Sequence, residues 1–459
     1  MSEHGTLGDG PGLQHQIDQW RTWVSRRDAI SPDDVAELED NLRGRIADLR
    51  AGGLDDEEAF LVAVRRLGSI DEISREFARV HSERLWKQLV LVPGSPPEAD
   101  RRRRDLAVLL ALAVGAGMAV KALLALGDDR SFALNVAFAV LPFLAAYFAW
   151  SRSLPRRVAG TLAAIAGGVA LAVNLYPFAT DGHGTATATT YTLAAAHLPV
   201  LLWFLVGVAY TSGAWRDHAR RMDFVRFTGE LAIYFTLVAL GGGLLTGLLL
   251  ATFDVVDIDV EPFVQDWLMP FAVPGAFLVA AWLVEAKKSV VENMAPVLTR
   301  VFLPLTLVLL VAALVALLAG GPLTGVDRNL LILMDAILLL VLALVLYSTS
   351  ARDPEAPAGA FDWLQLALVV AALAVDAVAL TAMVTRIADA GWTANKTAAL
   401  GLNVVLLVHL VQTGRVLWRF VRERGTFGAV ERWQTRYLPV YAAWAAVVVL
   451  VFPPVFSYT

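Results

Sequence analysis

The chain has 459 residues, of which 57% are apolar and 18% charged, and its mean hydropathy is +0.58. This apolar content exceeds the roughly 45–50% of ordinary soluble domains and indicates a membrane protein. Residues 1–100 carry 12 Lys/Arg and 20 Asp/Glu, and this negative charge argues against direct nucleic-acid binding, which requires clustered basic residues. Because the chain has no cysteine, disulfides, thiolate metal sites and cysteine nucleophiles are excluded.

The first 92 residues have the pattern of a small soluble helical bundle. Apolar residues at spacings of three to four predict four helices, which begin close to Leu13, Pro32, Asp55 and Ser69. Ser31 provides the N-cap of the second helix, and glycines at 52 and 53 end it. We therefore predict a disordered start over residues 1–12, a cytoplasmic helical bundle over 13–92, and a Pro-rich and then basic linker over 93–105.

The stretch from Val35 to Val80, "VAELEDNLRGRIADLRAGGLDDEEAFLVAVRRLGSIDEISREFARV", resembles the permease prefix domain, also called the HAAS signalling domain. The resemblance implies a bacterial membrane protein with an N-terminal interaction or signalling module, often encoded beside a PadR-type transcriptional regulator. Two alternatives stay open: a bundle that only caps the membrane body, and a helix-turn-helix over residues 55–80. The acidic charge of this stretch disfavours the helix-turn-helix.

Residues 106–459 contain eleven long apolar segments. Each holds about 19 to 24 residues, enough at 1.5 Å per residue to cross a hydrocarbon core of roughly 30 Å. The predicted spans are 106–126, 131–150, 158–178, 191–211, 230–253, 267–285, 301–320, 329–348, 362–385, 397–418 and 437–456. The predicted fold is therefore all-α, with a small cytoplasmic helical bundle and a polytopic transmembrane bundle of about eleven spans.

The distribution of basic residues predicts the orientation of these spans. Cytoplasmic connections retain Lys and Arg, and most of the basic residues outside the spans lie in the connections that share a side with residues 13–92. The opposite connections hold only four, and residues 254–266 carry five acids without a base. We predict a multi-pass protein of the bacterial cytoplasmic membrane with its N-terminus inside and its C-terminus outside.

The segments "MDAILLLVLALVLY" and "RIADAGWTANKTAALGLNVVLLVHL" in the C-terminal half resemble an uncharacterised bacterial polytopic family of unknown function. Gly391, Thr393, Asn395 and Lys396 fit the signature segment of that family, whereas residues 389–390 depart from its acid-aromatic step. The resemblance implies a helical membrane fold and no particular chemistry.

Polar residues inside the spans are the candidate functional residues, because an ionisable group in hydrocarbon is costly unless it is paired or hydrated. They are Lys121, His197, Asp335, Asp376, Asn403 and His409. By helical rise, Asp335 and Asp376 lie about 9 and 14 Å from the outer ends of their spans, and His409 lies on the inner side of the midplane. We expect one polar cluster in the outer half, with Lys121 either pairing with an aspartate or reaching outward to the interface.

Recognisable enzyme motifs are missing from the sequence. It contains neither HExxH nor GxSxG, and "GWTANKT" at 391–397 lacks the second glycine of a phosphate loop. Asp181 and His183 lie in an outer loop and are expected to be solvated. We predict no enzyme activity, cofactor or metal, and two functions stay open. One is a sensor or regulatory protein that contacts a PadR-type regulator or another protein through residues 13–92; the other is a secondary transporter with a carboxylate site.

The predicted orientation can be tested with reporter fusions. A reporter that is active only in the cytoplasm should be inactive when fused after Thr459 and when inserted into 254–266, and active when fused before residue 13. Activity after Thr459 would show that the number of spans is not odd, and activity within 254–266 would reverse the orientation.

Overall fold

The computed structural model describes residues 11–24, 32–51, 54–66, 96–180, 188–286, 294–319 and 328–459. These residues form helices and their connections, without a β-strand. Contacts between residues divide the chain into two compact units, Met1–Arg101 and Arg102–Thr459.

In the N-terminal unit, three of the four predicted helices are present: α1 (Pro11–Val24), α2 (Pro32–Ala51) and α3 (Asp56–Arg66). α3 begins close to Asp55 as predicted, and the Asp55 carboxylate accepts a hydrogen bond from the Glu58 backbone N–H at 2.8 Å and so caps the helix. The three helices share one apolar core, formed by Leu13, Ile17, Trp20, Leu42, Ile46, Ala59 and Ala63. The predicted fourth helix and the Ser31 cap lie outside the described residues.

The remaining helices all belong to the membrane body, and each predicted span coincides with one of them. They are α4 (Pro96–Leu126), α5 (Asp129–Ser151), α6 (Arg156–Leu175), α7 (Thr189–Tyr210), α8 (His218–Asp254), α9 (Glu261–Ala286), α10 (Met294–Ala319), α11 (Arg328–Ala351), α12 (Ala360–Ala390), α13 (Ala394–Val421) and α14 (Phe427–Val455). Residues 96–105 of the predicted linker form the first turns of α4. Ten of these helices are long and apolar enough to cross a membrane; in α10 the qualifying stretch, Thr299–Val315, is shorter. The chain is a multi-pass integral membrane protein.

Two membrane helices contain a π-helical turn, and in both the turn comes just before a proline. One turn is Val264–Leu268 in α9, two residues before Pro270, and the other is Val447–Val451 in α14, two residues before Pro453. Proline lacks a backbone N–H and its ring crowds the preceding turn, so the helix widens locally to i→i+5 hydrogen bonds.

Contacts between helix ends show that α10 crosses the body like its neighbours. Arg152, after α5, binds Glu285 at the end of α9, and its carbonyl accepts a hydrogen bond from Ser212, just before α8. Arg226, near the start of α8, donates to the carbonyl of Ser350 at the end of α11. The C-terminal ends of α9 and α11 therefore lie on the same side of the body. Because α11 itself crosses the body, it begins on the opposite side, and α10 must cross to connect the end of α9 with the start of α11. Eleven alternating helices agree with the predicted number of spans.

Two apolar cores are the largest among the described residues of the body. Helices α4, α5, α7, α8 and α9 share a core rich in aromatic rings, in which Phe148 lies edge-on to Tyr210 and Phe227. Helices α10 to α13 and the start of α14 share a second core of mostly aliphatic side chains, including Leu303, Leu338 and Leu406. The buried polar candidates on α11, α12 and α13 lie within this second group of helices.

Arg352 holds the connection between α11 and α12 in place. Its guanidinium binds Asp362 at 2.8 Å and donates to the carbonyls of residues 353, 356 and 357. It also lies over the rings of Phe420 and Phe427, 4.8 and 4.4 Å from their centroids. Because the Asp362 side chain is only 4% exposed, this ion pair is a buried one. We call the side of the body that contains this clamp the Arg352 side, and the opposite side, which contains the C-terminus, the Thr459 side.

Removing one partner of this buried pair should destabilise the body. We expect Asp362→Ala to reduce the free energy of unfolding by about 3–5 kcal/mol, since it leaves the arginine charge buried without its carboxylate. Thermal unfolding of the purified protein in detergent measures the change. Glu355→Ala, an exposed position in the same connection, is the matched control; equal melting temperatures for the two variants would contradict the assigned role.

Candidate functional site

Asp335 and Asn403 form the centre of the candidate site. Asp335 lies two turns into α11 and Asn403 lies at the same level of α13, and the Asn403 Nδ2 donates to Asp335 Oδ1 at 2.8 Å. The same nitrogen donates its second hydrogen to the Ala399 carbonyl of its own helix at 2.9 Å. Because Asn403 is fully buried, its amide has a fixed orientation and holds the carboxylate in place. The sequence placed these two residues at a similar depth, and the structure brings them together.

A cavity of about 400 Å³ opens beside Asp335 on the Thr459 side of the body. His197 of α7 also lines it, and the His197 Nδ1 is bonded to the Leu193 carbonyl at 2.8 Å. Arg386 at the end of α12 and Lys396 at the start of α13 provide positive charge, while the remaining wall is mostly apolar. A cavity that combines apolar walls with a few oriented polar groups is typical of small-molecule sites.

The segment 391–397, which superficially suggested a phosphate loop, is a tight connection between two helices. Gly391 has φ +73°, a left-handed conformation that ends α12, and Thr393 is the N-cap of α13. The Lys396 ammonium donates to the carbonyls of Gly391 and Arg386 at 2.8 and 3.2 Å. The segment follows a helix and not the strand that a phosphate loop requires. The lysine binds carbonyls at the end of α12 and contributes its positive charge to the cavity.

Asp376 lies deeper in the bundle, on α12. Its side chain is fully buried, and neither carboxylate oxygen has a hydrogen-bond partner among the described residues. A buried polar group without a partner is rare in folded proteins and often marks a functional position.

His409 is fully buried on α13 and lies among the aromatic rings of α14. Its Nδ1 is 2.6 Å from the Tyr441 hydroxyl, and its ring stacks on Tyr437 with the centroids 4.8 Å apart. The Trp433 indole N–H donates to the His409 carbonyl at 3.2 Å. Gly401 lies directly under the Trp444 indole, so α13 and α14 approach closely enough for these contacts.

Lys121 does not join the aspartates. Its ammonium lies 3.9 Å from Asp266 and 4.9 Å from the centroid of the Trp267 ring, both at the start of α9. The predicted pairing of Lys121 with Asp335 or Asp376 is therefore not observed. The side chain reaches instead toward the end of its own span, where a long cationic side chain contacts the polar boundary of the membrane.

Several buried polar residues near the site did not stand out in the sequence. Tyr441, Thr413 and Gln434 lie on α13 and α14 and face His409 or its neighbours. Glu230 of α8 is only 5% exposed, although it falls at the predicted boundary of span five. In the sequence, the spacing of four residues between His409 and Thr413 indicates that both lie on one face of a helix, and this was the available signal for the buried polar residues on α13. Asp181 and His183 lie outside the described residues.

Comparisons of the chain with protein-family models, with curated proteins and with solved structures returned no match. The functional interpretation therefore depends on the geometry of the site. Within the described part of the chain, no group of three or more His, Asp or Glu side chains is arranged to hold a metal ion.

The absence of cysteine from the sequence allows access to the cavity to be measured directly. We expect Ala399→Cys, in the cavity wall, to react with a membrane-impermeant maleimide added to the outside of cells, because the thiolate that reacts forms only where water is present. Val370→Cys, on an exposed apolar face of α12, is the control and should stay unlabelled. Equal labelling of the two positions would contradict a water-accessible cavity.

Proposed function

We propose that this integral membrane protein is a sensor or regulatory component. In this proposal the cavity beside Asp335 binds a small ligand from the outer side of the membrane. The N-terminal unit transmits the bound state to a cytoplasmic partner, a PadR-type regulator or another protein. The bacterial cytoplasmic membrane, with the N-terminus inside, is the location that this function requires.

The observation that carries the proposal is the carboxylate of Asp335, held by a buried asparagine at the edge of an apolar cavity. Burying an acid in a membrane bundle is costly unless it has a role or a partner. Arg386 and Lys396 line the same cavity, so it offers positive and negative groups separated by apolar wall. This arrangement suits a small amphipathic molecule that carries polar groups of both kinds.

The N-terminal unit supports the signalling part of the proposal. It has an apolar core of its own formed by three helices, and residues 1–100 carry eight more acidic than basic residues. A separately packed, strongly charged unit is suited to recognising another protein. Its resemblance to the permease prefix domain adds the expectation of a PadR-type regulator.

Secondary transport is the second candidate, and Asp376 is the observation that favours it. A buried carboxylate without a hydrogen-bond partner among the described residues can bind and release a proton. Proton binding beside a ligand cavity is what an ion-coupled transporter requires. Because the chain has no recognisable ATPase motif, transport would have to be coupled to an ion gradient or to a separate protein.

Transcript profiles distinguish the two functions. In a strain with this gene as its only copy, we expect Asp335→Asn and deletion of residues 1–101 to change the same transcripts by at least about threefold, because a sensor needs both its site and its N-terminal unit. Asp353→Asn, in an exposed connection, is the control and should match the wild type.

Two other results would contradict this expectation. If neither variant changes any transcript, the signalling function is wrong. If only Asp335→Asn changes transcripts, the N-terminal unit is not needed and transport is favoured. Membrane fractions of each strain show whether all variants reach wild-type amounts.

A further inference from the structure

The Asp335 carboxylate has one oxygen held by the protein and one that is not. Oδ1 accepts the hydrogen bond of Asn403 at 2.8 Å, whereas Oδ2 has no hydrogen bond or ion pair with the described residues. Lys121, the basic residue expected beside it, lies near Asp266 instead. Because Asp335 is only half-buried and lines the cavity, its carboxylate is an acceptor that a bound molecule can reach.

His197 provides a second acceptor at a similar depth of the same cavity. His197 and Asp335 lie two turns into α7 and α11, and both helices begin on the Thr459 side. A carbonyl oxygen only accepts, so the His197 Nδ1 has to donate to the Leu193 carbonyl. In the neutral imidazole, Nε2 is then the acceptor. The inner part of the cavity therefore presents a carboxylate and an imidazole lone pair.

The end of the cavity nearest the Thr459 side has the opposite character. Arg386 and Lys396 line it, together with Asn395 in the first turn of α13, where the helix dipole is positive. Lys396 uses two of its three ammonium hydrogens on carbonyls, so one is left for an anion. Lys396 precedes Asn403 by seven residues, and this spacing places the positive end about 10 Å from the level of Asp335.

We infer that the ligand of this cavity is a zwitterion whose ammonium and carboxylate groups are about 10 Å apart. The ammonium binds the Asp335 carboxylate and donates to His197 Nε2, and the carboxylate binds Lys396 and Arg386. An apolar segment joins the two charged groups. The wall against which this segment packs includes Leu331, Met383 and Leu402. The inference rests on the proposed function, in which the cavity binds a small ligand, and it names the chemical class of that ligand.

Both charged groups of the ligand are needed. An ammonium has three donors, which suits two acceptors on one wall, but a simple amine would enter past the positive charges of Arg386 and Lys396. A carboxylate without an amine would leave Asp335 unpaired in an apolar environment, which is costly. In an α-amino acid the two groups share one carbon and cannot reach both ends of the cavity.

Calorimetric titration of the full chain in lipid nanodiscs tests this class, with empty nanodiscs as the blank. The probe is aminooctanoate with its amine on the terminal carbon, because eight bonds of an extended chain span about 10 Å at roughly 1.2 Å per bond. The N-acetyl derivative lacks the ammonium, the carboxamide derivative lacks the carboxylate, and aminobutanoate is too short. We expect the probe to bind, and each of the three comparison compounds to have a Kd at least about tenfold higher.

Two variants assign the two ends of the ligand. Asp335→Asn keeps the size of the side chain and removes its charge, so the probe and its N-acetyl derivative should bind this variant within about twofold of each other. Lys396→Gln should remove the preference for the carboxylate over the carboxamide in the same way. Asp353→Asn, in an exposed connection, is the control and should keep both preferences. Lys396→Gln keeps the test informative if Asp335→Asn lowers the amount of folded protein.

Two results would overturn the inference. One is failure of the probe to bind the wild type. The other is a tenfold preference for the free amine that persists in Asp335→Asn, since the preference would then come from the size of the acetyl group. If both preferences are observed but no transcript changes, the ligand class stands and the signalling function is wrong. If transcripts respond to Asp335→Asn but the free amine is not preferred, the ligand class alone is wrong.

Discussion

The cost of placing polar groups in hydrocarbon is the constraint on which this structure depends. Helices satisfy every backbone group within the segment, which is why the membrane body is built from them alone over its described residues. The same cost applies to side chains, and it accounts for the bond between Asn403 and Asp335. Asp376 lacks such a bond, because neither of its carboxylate oxygens has a partner among the described residues. Asp376 and the polar residues near it on α11 and α13 are therefore the candidate functional groups of the body.

The aromatic packing and the buried polar candidates are concentrated in different helices of the membrane body. The core shared by α4, α5, α7, α8 and α9 contains several aromatic rings, including Phe148 and Phe227 in edge-to-face contact. Such pairs contribute about 0.5–1.5 kcal/mol beyond the area that they bury, and this core suits a rigid support. The cavity and the fully buried Asp376, Asn403 and His409 lie on α7 and on α11 to α13. Ligand binding, as proposed, would take place where α7 meets the helices of the second core.

Local patterns predicted most of the fold, whereas contacts between distant segments could not be predicted. Apolar runs placed all eleven membrane helices, and the predicted start of the third helix near Asp55 was correct because a helix start depends on residues close in sequence. Helical rise also placed Asp335 and Asn403 at one level. Depth says nothing about which helices are neighbours, so the contact of Lys121 with Asp266 was not foreseen. Tyr441 was overlooked because a tyrosine near a span end is ordinarily read as an interface residue.

The contacts between neighbouring helices also determine how ligand binding in the cavity could affect the rest of the body. Ala399 in the cavity wall and the buried His409 both lie on α13, so a rigid displacement of this helix would move both. Because Gly401 of α13 has no side chain, the Trp444 ring of α14 lies against the backbone of α13. Close packing of this kind resists gradual deformation and favours movement between discrete arrangements. In the proposed function, a ligand that changes the contact between Asn403 and Asp335 would act first on α13, the helix that also packs against Trp444 of α14.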